Sequence, residues 1–435
     1  MTEQKAGKLQ SPPGWLAWAI WGLAASFYLT AFYLRAAPAV MTAELMRDFR
    51  IGAGQLGNLS AFYFYFYVAM QIPIGVLTDT LGARKLLVIG SLTAAAGTFL
   101  FGATDNFALA CAGRAIVGGS TAVGWLVLLR LTTHWFSPKR FAMLSGLGLF
   151  FGNIGALVAQ VPLRILVEHF SWRTVVIMSA GLVLAVGAAA LAFVRNDPSE
   201  RGYESFAPKD LRNMPRASLA DILVGFKKIA GTRNPWLILF AQGGLVGPMM
   251  TFTGLWGPPF LKARFGLAPT EAATICSIMI VCWAACCPLA GALSDKMERR
   301  KPVYLGGTIL TGLGWATMFY MDSLPVAAFT VVAALTSVAS SAVIVAFPYA
   351  RESAPLRYMG TVTASTNMGN MFGPSLLQPG IGMLLDQHWT GATLKGAHLY
   401  GVEAYHVGFL LILAWSVASC ALISLTKETN CRQTE

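Results

Sequence analysis

Charge is what this sequence has least of. Only 12% of its 435 residues are Asp, Glu, Lys or Arg, against about 25% in a typical soluble domain. Hydrophobic residues make up 55% and the mean hydropathy is +0.59. Such a chain needs an apolar solvent, and a lipid bilayer supplies one. Acidic residues are absent from the middle of every long apolar run: Asp79, Asp295, Glu352, Asp386 and Glu403 all fall near run ends. The seven cysteines form no disulfide framework, because six sit in apolar runs and Cys431 lies in the tail; they read as small apolar residues. The five histidines lie at loops or run ends. No glycine-rich phosphate cradle, metal-ligand cluster or nucleophile–base pair is present. We therefore expect no enzymatic activity, no cofactor and no metal.

What is present is a series of apolar runs. A spanning helix needs about 20 mostly apolar residues, and such runs occur near 15–40, 55–77, 86–104, 107–130, 141–162 and 172–194. A second group lies near 236–261, 271–293, 302–321, 325–349, 358–385 and 404–426. The expected fold is all-α and integral to the membrane, with twelve spans in two six-helix bundles. The expected organisation is a polar tail (1–14), a first bundle (15–194), a basic linker (195–235), a second bundle (236–426) and a short tail (427–435). The N-terminal stretch lacks a signal-peptide cleavage pattern. The first run reads as a retained span.

Basic residues fix the expected orientation. With the N-terminus inside, twenty-three of the 32 Lys and Arg residues fall on the cytoplasmic side. Seven fall outside, and Arg35 and Arg114 lie within spans. Both chain ends are then cytoplasmic. The formal net charge of +12 is a consequence of topology, so nucleic acid is not expected as a partner.

The two bundles also repeat each other. Gly75-Val-Leu-Thr-Asp79-Thr-Leu-Gly82-Ala-Arg84-Lys85 returns 216 positions later as Gly291-Ala-Leu-Ser-Asp295-Lys-Met-Glu298-Arg299-Arg300-Lys301. Gly155, Gln160 and Pro162 are followed 218 positions later by Gly373 and Gln378, then Pro379. An acid-and-histidine pair follows each: Glu168-His169 and Asp386-Gln387-His388. Repeats of this kind are a transporter signature.

On the Gly-x-x-x-Asp-x-x-Gly-x-Arg-Lys hinge, the run count and the central linker, the chain resembles the major facilitator superfamily over essentially its whole length. The second hinge departs from the family pattern at Glu298. The first half resembles the sugar-phosphate and organic-anion permeases at Tyr33-Leu34-Arg35, Gly124-Trp125, His134-Trp135-Phe136-Ser137, Lys139-Arg140 and Ser171-Trp172-Arg173. It departs from the phosphate exchangers in span seven, where Leu245–Thr251 carries no base, and in span five, which lacks a histidine. A phosphate ester clamped between two symmetric arginines is thereby disfavoured. Span five also lacks the glycine–proline pattern of proton-driven drug exporters.

Two kinds of residue carry the expected chemistry. Gly75, Asp79, Gly82, Arg84 and Lys85, with Gly291, Asp295, Arg299 and Arg300, are expected to form gates at the inner face. A bare solvated turn is the competing reading, but a plain loop has no reason to repeat. Arg35 is expected about 9 Å below the outer boundary at 1.5 Å per residue, with Arg114 at similar depth. An ionisable group at such a depth is costly unless it faces protein or water, and arginine bonds carboxylate or phosphate in a fork. The pair is expected to form an anion site. The bland alternatives are snorkelling for Arg35 and backbone bonding for Arg114. Tyr63, Tyr67 and Gln71 share one helical face, as do Asn367 and Asn370. With Asn153, Gln160 and Gln378 they are candidates for contacting the solute, although helix-to-helix bonding is the favoured reading for any one amide.

The expected function is secondary or facilitated transport of a small organic solute, an organic anion or an amino-acid-like compound, by a monomer in the inner membrane. A counter-anion or a proton would be the coupled species; the lack of a mid-span carboxylate favours exchange or uniport. The rival readings are an exporter of drugs or metabolites and a membrane sensor on a transporter fold.

Overall fold

The computed structural model describes residues 10–207, 232–355 and 359–433; the side chains of Val76, Asp79, Ala142 and Gly360 and of Met359 lie outside the described set. Of the linker bases, Lys209, Arg212, Arg216, Lys227 and Lys228 therefore lie outside the described residues.

The chain is built almost wholly of helices. The first set comprises α1 (Gly14–Ala36), α2 (Thr42–Phe49), α3 (Ala53–Ala103), α4 (Phe107–Thr121), α5 (Val123–Trp135), α6 (Phe141–Val158), α7 (Val161–His169) and α8 (Trp172–Phe193). The second comprises α9 (Arg233–Gly243), α10 (Val246–Thr251), α11 (Gly257–Phe265), α12 (Pro269–Lys296), α13 (Lys301–Tyr320), α14 (Val326–Ser340), α15 (Ala346–Glu352), α16 (Met359–Gln387) and α17 (Val402–Ser424). A two-stranded hairpin pairs β1 (Thr393–Leu394) with β2 (Ala397–His398).

Among the described residues, nine helical segments are long and apolar enough to cross a membrane. Of the other three expected spans, α13 and α16 are helical but less apolar, and the first part of α3 is helical and includes residues outside the described set. For α16 the reason is its place: it packs on α3 between the two sets and carries polar side chains there.

Several rods are interrupted where the sequence suggested continuity. The second and third expected spans form one helical run, broken at Gly82, where φ is +79°. Glycine is the residue that adopts this conformation without strain. The seventh expected span is three pieces: α9 ends at Gly243, α10 follows, and a π-helical turn, Phe252–Trp256, leads into α11. Single π turns inside α-helices concentrate at functional sites.

The repeat noticed in the sequence is also a repeat of contacts. A Cβ on Gly155 of α6 would sit 2.0 Å from the Leu29 carbonyl oxygen of α1. A Cβ on Gly373 of α16 would sit 2.4 Å from the Gly243 carbonyl oxygen and 2.6 Å from the Gly247 Cα. Gly373 and Gly247 lie 218 positions beyond Gly155 and Leu29. Helices approach this closely in membranes only where one side chain is missing.

The two ends of the rods are distinguishable. At one, here the terminal face, the first and last described segments meet the turns near residues 82, 136, 195 and 298. At the other, the distal face, lie residues 41–52, 104–106, 170–171, 266–268, 322–325 and 388–401. Between the faces the outward surface is apolar, with Phe99, Leu182, Leu310 and Val417 each more than half exposed. That is the surface a helix bundle presents to lipid. The second set is centred on rings: Phe319 stacks on Phe409 with centroids 4.1 Å apart, and Phe252, Phe260 and Trp315 pack around them.

Candidate functional site

Bonds between the two sets occur at mid-height and at the distal end. At mid-height Arg35, in the last turn of α1, reaches across to the second set. Its Nη1 lies 4.0 Å from Met371 Sδ of α16, and its guanidinium stacks on the Phe32 ring at 3.9 Å. The hydroxyls of Tyr28, Tyr63 and Tyr67 lie close enough to feel its charge. No described carboxylate comes within ion-pair distance of Arg35. It is thus a half-buried cation that meets an aromatic face and a thioether, with no counter-ion among the described residues.

Arg114, on α4, is buried, with 3% exposure. Its Nη1 donates to the Leu34 carbonyl at 2.7 Å, one residue before Arg35. The guanidinium lies over the Tyr63 ring at 5.3 Å and the Phe101 ring at 6.0 Å. Its Nε and Nη2 have no protein partner. A buried donor left without an acceptor costs about 1–3 kcal/mol, more when charged. Backbone bonding thus occupies one arm of Arg114 and leaves the rest of its fork open. Tyr63 stands between the two arginines, its hydroxyl 2.9 Å from Thr121 Oγ1.

On α3, Tyr63 and Tyr67 stack with centroids 5.9 Å apart. Gln71 Oε1 accepts from Asn367 Nδ2 of α16 at 3.3 Å, and the Tyr67 hydroxyl interacts with both amides. These three residues bridge the sets below Arg35. Asn370 lies one turn along α16 with its Oδ1 buried and without a protein partner.

Gln160 and Gln378 form a more distal layer against the π turn. Gln160 Nε2 donates to the Thr253 carbonyl at 2.9 Å, across the sets. Trp256 Nε1 donates to the Gln378 carbonyl at 3.0 Å. Both side chains are almost wholly buried, yet Gln160 Oε1 and both polar atoms of Gln378 lack protein partners. Asn153 stands apart: its Nδ2 bonds the Leu149 carbonyl of its own helix.

The expected gate residues divide unevenly. Asp79 lies within α3, but its side chain is outside the described set. Gly75 is half-buried within the same helix. Arg84 donates through Nη2 to the Leu191 carbonyl at 2.7 Å, its backbone N–H is held by Asn196, and Lys85 is exposed. In the second hinge, buried Arg300 pairs with Asp295 at 2.5 Å and Glu352 at 2.7 Å. Arg299 is exposed. A Cβ on Gly291 would meet only Ile344, at 3.9 Å, so close helix approach does not require glycine there.

Sequence reasoning missed Met371, Tyr28 and the π turn. Only the Gly-Gly and Gly-Pro pairs at 243–244 and 247–248 signalled the broken seventh rod. It also missed the tail as a structural part. Glu428 accepts from the Arg300 and Lys301 backbone N–H groups, each at 2.9 Å, and Thr429 bonds Glu352. Burial pushes the Glu428 carboxyl up, but bonds from the N–H groups of Arg300, Lys301, Asn430 and Thr429 outweigh it and hold it below the usual range.

Comparison with known proteins places these features in context. The model of the Major Facilitator Superfamily matches residues 20–378 and 240–429. A probable sulfoacetate transporter of Cupriavidus necator is 21% identical over 315 residues, covering 69% of this chain and 70% of that protein. A probable galactarate/D-glucarate transporter of Escherichia coli K12 is 22% identical over 299 residues, covering 62% and 67%. Among solved structures, an inward-facing, unoccupied bacterial homolog of the human lysosomal transporter Spinster superposes with a TM-score of 0.76 at 17% identity, covering 95% of this chain and 97% of that one.

Proposed function

The chain belongs to the Major Facilitator Superfamily, and from that premise we propose that it carries a small organic anion across the inner membrane by alternating access. Arg35 carries this reading: a cation at mid-height between the sets, with no described carboxylate in reach and with Met371 of the opposite set against it. An anion arriving there gains a forked, charge-assisted bond and meets no competing carboxylate. Arg114 supplies the second charge through its unpartnered Nε and Nη2. Tyr67, Gln71 and Asn367 offer neutral donors and acceptors from both sets.

The absence of a base in Leu245–Thr251 favours a carboxylate or sulfonate over a doubly charged phosphate ester, because the second set brings amides, a thioether and rings but no matching cation. Relatives named for sulfoacetate and for galactarate or glucarate transport agree in charge class. In this reading the two sets are six-span bundles of 15–194 and 236–426 joined by the 195–235 linker, the terminal face is cytoplasmic, and Asp79, Arg84, Asp295 and Arg300 belong to its gate.

The test is counterflow in vesicles reconstituted with purified protein, using sulfoacetate, glucarate and a hexose phosphate as separate probes. A carboxylate or sulfonate probe is expected to exchange, and Arg35→Ala to abolish it without loss of insertion. Undiminished exchange by that variant would remove the anion site.

A further inference from the structure

The acid that follows Gln378 in the repeat has no part in the site described above, yet among the described residues it makes the most heavily bonded contact between the two sets. Asp386 ends α16 at the distal face and meets the N-terminus of α3. Ala53 N donates to Asp386 Oδ1 at 2.9 Å and Gly54 N donates to Oδ2 at 2.8 Å. Tyr400, in the segment leading to α17, donates its hydroxyl to Oδ1 at 2.5 Å and accepts from Ala53 N at 2.9 Å. The carboxylate thus satisfies two of the four N–H groups that begin a helix and faces the positive end of its dipole.

The backbone around this contact is shaped to admit it. A Cβ on Gly52 would lie 2.6 Å from Asp386 Oδ1. Closer to mid-height, a Cβ on Gly57 would lie 2.3 Å from the Gln378 carbonyl oxygen, and one on Gly382 would lie 2.2 Å from the Ala53 carbonyl oxygen. The first turns of α3 and the last turns of α16 are therefore in backbone contact from Gln378 to Asp386.

The repeat does not reproduce this arrangement. Glu168, 218 positions before Asp386, bonds Arg164 one turn back on its own helix. The start of α12, the counterpart of the start of α3, is capped from within by Glu271, which accepts from Ala268 N at 2.8 Å. One crossing is capped across the sets and the other is not. An ordinary helix cap is local in sequence; this one spans more than 330 residues.

We propose that Asp386 is the latch of the distal mouth: its carboxylate, seated on the α3 N-terminus and steadied by Tyr400, holds the sets together at that face and releases when the face opens. The proposal rests on the alternating-access reading but not on the anion site. Beneath the latch lie the buried amides of Gln160 and Gln378, three of whose polar atoms have no protein partner among the described residues. Among the described residues the Asp386 cap is the charge-assisted contact between the sets at that face, and it sits over a polar layer.

Hydrogen exchange followed by mass spectrometry on the purified full-length protein tests this without a substrate. Two variants remove the contact by different means: Asp386→Asn removes the charge, and Gly52→Ala displaces the carboxylate by its methyl group while keeping the charge. Gly52 has φ −83° and ψ −178°, which alanine adopts freely. Both are expected to speed exchange in 50–58 by about fivefold, the loss of one helix cap. Release of the latch must also speed exchange across the distal contact layer, in 250–258 and 376–386. Faster exchange confined to 50–58 in both variants would reduce Asp386 to a cap and overturn the latch, as would no change at all. Neither outcome bears on counterflow by Arg35, so the two readings fail separately.

Discussion

At the scale of the residue, the hinge duplicate shows what sequence can and cannot reveal. Gly82 and Glu298 occupy equivalent positions, and both adopt positive φ, +79° and 51°. Only the first is glycine. Glu298 therefore holds a left-handed conformation that costs a side-chain-bearing residue about 1–2 kcal/mol. Glu298→Gly is expected to stabilise the protein by about 0.5–1 kcal/mol after the added chain entropy of glycine is subtracted. The measurement is the thermal unfolding midpoint in detergent, expected to rise by about 2 °C. A lowered midpoint would mean that the glutamate side chain contributes more than its backbone costs. The departure was visible as a letter, but the strain needed the dihedral. Arg35 and Arg114 were legible as residues, since charge within an apolar run is rare. Their partners were not: Met371 and the Leu34 carbonyl carry no sequence mark, because a thioether and a main-chain oxygen look the same everywhere.

At the scale of the element, apolar periodicity located the rods and failed at their interruptions. The π turn at Phe252–Trp256 lies within an unbroken apolar run, and hydropathy does not distinguish one backbone hydrogen-bond pattern from another. In the sequence the C-terminal segment 427–435 is marked only as a short tail. In the structure it straps the terminal face of the second set. Lys301 Nζ reaches the Ser424 and Thr426 carbonyls at 2.7 and 2.9 Å, and Asn234 holds Lys427 in two directions. Glu428 is the centre of that strap. Its carboxyl is held below the usual range by backbone N–H groups despite burial, so its contribution is complete above the ordinary carboxylate range and is lost as pH falls through the lowered value. Acidification through the ordinary carboxylate range is therefore expected to leave the tail docked, with release only below that range. Glu428→Gln is expected to release it even at pH 7, read as proteolytic susceptibility at Lys427 and Arg432. Equal protection of Glu428→Gln and the parent protein at pH 7 would contradict this role.

At the scale of the whole molecule, duplication was the most legible feature. The offset of 218 positions reappears as equivalent glycine contacts at Gly155 and Gly373. What the sequence did not disclose is where the repeat is broken. The cations Arg35 and Arg114 belong to the first set alone, and the cross-set cap at Asp386 belongs to one crossing alone. Both depend on which rods face each other, a property of packing and not of pattern. If Asp79 serves the terminal-face gate, Asp79→Asn should raise accessibility at that mouth, measured as thiol labelling of cysteines placed along the terminal-face half of α6. Unchanged labelling would remove Asp79 from the gate.

The central claim is that the space between the sets is an anion site built on Arg35. Equilibrium binding of sulfoacetate or glucarate to purified protein, compared across the parent, Arg35→Ala and Arg114→Met, tests it most directly. Loss of one charge-assisted, bidentate contact is expected to weaken binding by about tenfold or more in each variant, at roughly 1.5–3 kcal/mol per contact. Binding of the same anions at parental affinity by Arg35→Ala would contradict the account.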